Sequence, residues 1–263
     1  MKIIIPAALA FFILACTNQP ASENGIKKTA AGAGKEMKDN ESSNGGGCGN
    51  TLMFRQGTVV SSATYNGEGK LTNKQTSVVK KVYNQGAMTI SEMEMKSTDD
   101  KGANEKTSSA IYKCDGKKFY VDLSNYLSDG KQRSKIETSG MDFPYDPSVG
   151  DVLPDVSYSV KLNMAGRESI IKSRITERKV EAKESITTPA GTFECYRISS
   201  VIESERDMSG MDQKQKEIME KVQKQMGKPK MIFWYAPNVT IIKMEYYIAG
   251  KVAVRHEITA IRR

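Results

Sequence analysis

Only one histidine, His256, occurs in the 263 residues, and that count limits the available chemistry more than any motif does. A zinc site built on several histidines is excluded. A serine or cysteine nucleophile would have a single imidazole to serve as its base. The pattern around His256 argues against that role: it shares parity with Val252, Val254 and Ile258, so it turns toward the apolar face of its strand. A packed imidazole with one ring nitrogen hydrogen-bonded is the expectation there. Carboxylates occur in the pairs Asp99-Asp100 and Glu203/Glu205, the residue type used in glycoside hydrolysis. Asp99-Asp100 lies in the turn-like run Lys-Ser-Thr-Asp-Asp-Lys-Gly and reads as a solvated loop. No nucleophile elbow, phosphate loop, dinucleotide fingerprint, H-E-x-x-H or paired C-x-x-C is present. The reading is therefore non-enzymatic, with no catalytic residue, no metal ligands and no cofactor. A carboxylate hydrolase is the weakest class retained.

The cysteines carry the other chemistry. Residues Ile3 to Ala15 form an apolar run preceded by Lys2, too short for the roughly 20 residues a spanning helix needs. The run ends in Ile13-Leu14-Ala15-Cys16, which resembles the bacterial lipobox, where a thiol is acylated and the chain is cut just before it. Cys16 is thus the expected lipidation site, and three acyl chains would anchor the chain permanently. Position 17 is Thr, not the Asp of the common inner-membrane retention signal, and no acidic run follows. Outer-membrane attachment facing the periplasm is expected, with surface display as the other orientation. Cys48, Cys114 and Cys195 then remain in an oxidising compartment. Cys48 opens the folded region and Cys114 precedes an Asp115-Gly116 turn, so a Cys48–Cys114 bond would staple the start of the domain to the sheet. Cys114–Cys195 is the alternative pairing.

The elements that must position these residues follow from periodicity. Residues 17–47 are rich in Gly, Ala, Ser, Asn, Lys and Glu and hold no aromatic residue, which makes a disordered tether. Residues 1–15 are a signal peptide, 16–47 the lipidated cysteine and tether, and 48–263 one domain. Val156, Tyr158, Val160, Leu162 and Met164 alternate with polar residues; so do Ile242, Met244, Tyr246 and Ile248, then Val252, Val254 and Ile258. Turn signals separate such runs at Asn66-Gly67, Lys101-Gly102, Asp115-Gly116, Ala165-Gly166, Ala190-Gly191 and Ala249-Gly250. The fold class is mainly β: a curved antiparallel sheet, a half-barrel meander with one face solvated. One segment breaks the period. Met211, Ile218, Met219, Val222 and Met226 share a helical face, Asp212 and Gln215 suggest a capping box, and Gly227 then Pro229 a stop. This inserted amphipathic helix is expected to cover the concave face. The net charge of +8 is spread among acidic neighbours (Lys70 with Glu68, Lys179 with Glu181, Lys216 with Glu217), which excludes a nucleic-acid stripe.

The stretch "RKVEAKESITTPAGTFECYRIS" (178–199) resembles a segment of the TapB-like lipoproteins, as do "VGDVLPD" (149–155) and "WYAPNVTIIKMEYY" (234–247). That family is similar to the lipoprotein-carrier (LolA/LolB-like) half-barrels. The resemblance implies a curved antiparallel sheet with helices on its concave side, and it carries over no catalytic residue. It also implies a left-handed backbone at Asn238, where glycine is common.

The expected function is a binding module for an apolar, lipid-like ligand or a partner segment on the concave face, with Ile218, Met219, Val222, Met226 and Trp234 as candidate contacts. Methionines such as Met208, Met211, Met219 and Met226 offer an adaptable surface. A structural lipoprotein that docks onto an envelope protein complex, without a small ligand, is the second expectation.

Overall fold

The computed structural model describes residues 47–122, 136–138, 141–164, 167–206 and 213–263. The leader 1–15, Cys16, the tether to residue 46, Met208, Met211 and Asp212 lie outside them. Two short 3-10 turns, Gly47–Asn50 and Leu52–Phe54, lead into the sheet. The strands are β1 (Val59–Asn66), β2 (Leu71–Gln85), β3 (Met88–Asp99), β4 (Lys106–Cys114), β5 (Lys118–Asp122), β6 (Ile136–Thr138) and β7 (Met141–Pro144). They continue as β8 (Val156–Met164), β9 (Arg167–Thr188), β10 (Gly191–Arg206), β11 (Lys230–Ala236), β12 (Thr240–Ile248) and β13 (Lys251–Arg262). One helix, α1 (Gln213–Met226), is inserted between β10 and β11, where the helical period predicts it.

All thirteen strands belong to one antiparallel sheet, ordered β6-β8-β9-β10-β11-β12-β13-β1-β2-β3-β4-β5-β7. Tight links hold the register. Ala249 and Gly250, both at positive φ (48° and 76°), turn β12 into β13, as a right-twisting two-residue hairpin requires. Alanine is strained in that backbone region, so the hairpin is held by its strands rather than by its turn residues. Asn238 does not occupy the left-handed region, contrary to the expectation from the family resemblance. Its carbonyl instead accepts the Leu52 amide at 3.0 Å, and its side chain accepts the Tyr145 hydroxyl at 3.0 Å. That residue is a fastener, which requires no glycine-like backbone.

The sheet nearly closes into a barrel. Its two edge strands, β6 and β7, are consecutive in the chain, so the curling sheet brings its own ends round. The segment before β8 bridges the gap: Leu153 N donates to Arg178 O at 2.8 Å and Gly150 N to Val180 O at 2.8 Å. Arg178, only 1% exposed, is the clasp. From β9 its guanidinium reaches the Asp142 carboxylate on β7 (3.1 Å), the Asp142 carbonyl (2.6 Å) and the Pro154 carbonyl (2.7 Å). Burial lowers the affinity of this guanidinium for its proton, while the paired Asp142 charge raises it.

Inside the barrel, Val79, Met93, Phe119, Phe143, Val180, Ile198, Phe233, Tyr235, Ile242 and Met244 form one continuous core. Outside, Lys74, Lys80, Lys96, Lys179, Glu181 and Lys183 are exposed. That alternation is the reverse of a membrane-spanning barrel, whose outer band is apolar. Among the described residues no helix is long and apolar enough to cross a membrane. The core draws on strands and on Cys48, Met53, Phe54 and Leu153, and on no described side chain of α1, so among the described residues the expected helical cover is not what fills the barrel. A sheet of this many twisted strands curls far enough to bury its own apolar face.

Candidate functional site

The barrel interior is not filled throughout. A cavity of about 100 Å³ lies between β1–β5, β7, β12 and β13. Four methionines from four separate segments, Met53, Met95, Met141 and Met244, line it. One wall is polar, with Ser62, Gln75, Ser77 and His256. Register explains how they meet. Met244 pairs directly with His256 across β12 and β13, and Ser62 pairs with Gln75 across β1 and β2. Gln75 Nε2 donates to Ser77 Oγ at 3.1 Å, so part of the polar wall is already satisfied from within. An aromatic tier supports the far side: Phe119 stacks on Tyr112 with centroids 5.1 Å apart, and Phe143 meets Phe233 edge-on at 5.8 Å.

Met53 arrives from outside the sheet, on the turn Leu52–Phe54. Cys48 and Cys114 form a disulfide with Cα atoms 5.9 Å apart, the pairing favoured from sequence. Thr51 Oγ1 donates to Pro237 O at 3.0 Å, and Phe54 packs against Phe119 at 6.1 Å. The entry segment of the domain is thereby pinned over one side of the cavity. Cys195 is a free, fully buried thiol, and burial pushes its pKa up to about 12, which leaves it inert as a nucleophile.

His256 stands as the alternation predicts, facing inward, with Nδ1 hydrogen-bonded to Thr64 Oγ1 at 3.0 Å. Burial lowers its pKa to about 4, so the imidazole is neutral at physiological pH. Among the described residues no Lys, Arg, Asp or Glu lines the cavity. Among the described residues no group of His, Cys, Asp and Glu could hold a metal ion. The acidic pairs have structural work instead. Asp99 accepts from Ala103 N (2.8 Å), Lys101 N (3.0 Å) and Asn104 Nδ2 (2.8 Å), and these bonds lower its pKa, the Ala103 amide foremost. Glu203 pairs with Lys228 at 3.4 Å.

The helix-based candidates and the cavity are separate. Ile218 is 52% exposed, Val222 and Met226 are half-buried, and none of them lines the cavity. The Met219 side chain lies outside the described residues. Trp234 is buried on the outer side of β11, where its Nε1 donates to Glu184 Oε1 at 2.6 Å and Lys243 Nζ sits 4.5 Å above the ring. The cavity methionines are the residues that sequence reasoning missed. Met95 and Met244 carried a signal, since each shares parity with other inward residues of its strand; Met53 carried none.

Comparison with known proteins agrees with this architecture. The sequence profile described as DUF3108-like matches residues 55–254. Two solved structures share the fold at 18% identity. One is from Bacteroides fragilis, described as an exported protein with a YmcC-like fold (TM-score 0.59), and it aligns over 80% of this chain and 97% of its own. The other, described as a lipoprotein, is from Parabacteroides distasonis (TM-score 0.60, 80% and 96%). Among curated proteins none matches the sequence.

Proposed function

This chain belongs to the DUF3108-like family, and from that premise we propose that it is a non-catalytic envelope lipoprotein whose barrel interior takes an apolar ligand or partner segment. The observation that carries the reading is the methionine-lined cavity. Its roughly 100 Å³ compares with engineered apolar cavities of about 150 Å³ that bind benzene. It suits the end of an acyl chain rather than a whole lipid. Methionine walls adapt to such a guest, and each buried methylene contributes about 0.8 kcal/mol. With His256 neutral and no charged residue in the lining, nothing in the wall favours an ionic group.

The lipobox at Ile13–Cys16 supports anchorage, and Thr17 supports the outer membrane with the domain facing the periplasm. The descriptions of the two structural relatives as exported and as a lipoprotein agree with an envelope location. So do the TapB-like segment 178–199 and its lipoprotein-carrier resemblance. Protection of the domain from protease added to intact cells would support the periplasmic orientation.

Native mass spectrometry of the protein purified without detergent tests the ligand. Extra mass that organic extraction removes is expected, and Ala110→Leu, which fills the cavity from β4, should abolish it. Retention in the folded variant would place the ligand elsewhere. A clean apo mass would favour the docking role, to which Val149 (58% exposed) and Val152 (78% exposed) lend an apolar surface. Activity in an esterase and glycosidase screen would overturn the non-catalytic assignment.

A further inference from the structure

No described side chain of helix α1 belongs to the core. None of its described side chains is buried. Its charges are nonetheless ordered. At about 100° per residue, Ile218, Val222 and Met226 run along one stripe. Lys214 and Lys221 border that stripe beside Ile218, while Lys216, Glu217, Glu220 and Lys224 occupy the opposite, polar side. An apolar stripe edged by lysines on one side, with further lysines on the polar face and low overall hydrophobicity, is the pattern of a helix lying in the plane of lipid headgroups. Self-pairing would set the lysine borders of two copies against each other.

We infer that α1 docks the barrel onto an anionic bilayer surface, with the stripe led by the exposed Ile218 entering the headgroup region and Lys214 and Lys221 meeting phosphates. The orientation follows from how the helix ends. Gly227, at φ 62°, terminates it, and Ala249 N donates to Met226 O at 3.3 Å. The C-terminal end of α1 is thereby fixed to the β12–β13 hairpin, and that end of the barrel faces the membrane. Each lysine near an anionic surface strengthens attachment roughly fivefold. On a chain anchored at Cys16, docking is intramolecular, which lets a weak intrinsic affinity suffice.

Co-sedimentation with vesicles tests this on a chain beginning at residue 17, which lacks the anchor and keeps every residue of the described core. Phosphatidylglycerol-containing vesicles should retain at least about tenfold more protein than pure phosphatidylcholine, and 0.5 M salt should reverse the excess. Ile218→Asp should reduce the retention about tenfold, and Lys214→Glu with Lys221→Glu at least about 25-fold, while thermal unfolding stays unchanged. Equal binding to both vesicles, or anionic binding that neither variant alters, would overturn the inference. A lipid-independent dimer that Ile218→Asp dissolves would assign the face to a second copy and overturn it too.

Discussion

Met244 and Ile218 sit in equally clear amphipathic patterns, one in a strand and one in a helix, yet Met244 is 1% exposed and Ile218 52%. The barrel wall and the inserted helix therefore separate two properties that sequence reading joins. Periodicity says which face of an element is apolar. It does not say what covers that face. In β12 the cover is the rest of a sheet long enough to curl on itself; in α1 no described side chain is covered by the core.

The comparison breaks if changes in the barrel closure prove as mild as changes in the helix. The disulfide should matter most. Cys48 and Cys114 are 66 residues apart, and opening a loop of that length costs about 4 kcal/mol on chain-entropy grounds. Urea unfolding of a Cys48→Ala/Cys114→Ala variant should show that loss, together with release of the Met53 and Phe54 segment from the cavity. Arg178→Ala comes next. It strands two carbonyls and half of the Asp142 pairing in a buried clasp, and a loss of about 3 kcal/mol is expected by the same measurement. Arg178→Lys should not restore it, because one ammonium cannot span the fork of contacts that the guanidinium makes.

That clasp shows where sequence reading stops. The strands 156–164, 242–248 and 252–258, the helix and the inward histidine follow from local period or count, whereas the Cys48–Cys114 bond is one of two pairings that the cysteine positions leave open. Closure does not. Along β9, Ile171, Ser173 and Ile175 face inward, and simple alternation would carry Glu177 inward after them. Glu177 adopts φ 51°, the register against β10 shifts there, and Arg178 and Val180 take the buried positions instead. A bulge of this kind has no compositional signal, so a strand arginine reads as solvated when it is the most deeply buried cation described. The cavity was hidden for a related reason: its four methionines come from four distant segments that only closure brings together.

A pH titration sharpens the contrast within the barrel. His256 is held neutral with its pKa lowered to about 4, whereas an unfolded histidine titrates near 6.5. The unfolded chain therefore binds a proton first as pH falls. The stability contributed is complete above about pH 6.5 and is lost progressively down to about pH 4, by up to roughly 3 kcal/mol. His256→Gln should flatten stability across that window, and an unchanged slope would mean that another group governs it.

The smallest effect should be the most telling. Ile218→Asp places a charge on the apolar stripe of α1, and by periodicity alone it ought to damage the fold as Met244→Asp would. Met244→Asp buries an unpaired carboxylate against Ile242 and His256 neighbours and should unfold the barrel or cost several kcal/mol. Ile218→Asp leaves the carboxylate in water at a position already 52% exposed, so its unfolding midpoint should move by less than about 0.5 kcal/mol in stability. Ligand mass retained by the barrel should not change either, because Ile218 does not line the cavity. Destabilisation close to that of Met244→Asp would mean that the helix seals the barrel after all, and the division between a self-covered sheet and an outward helix would fall.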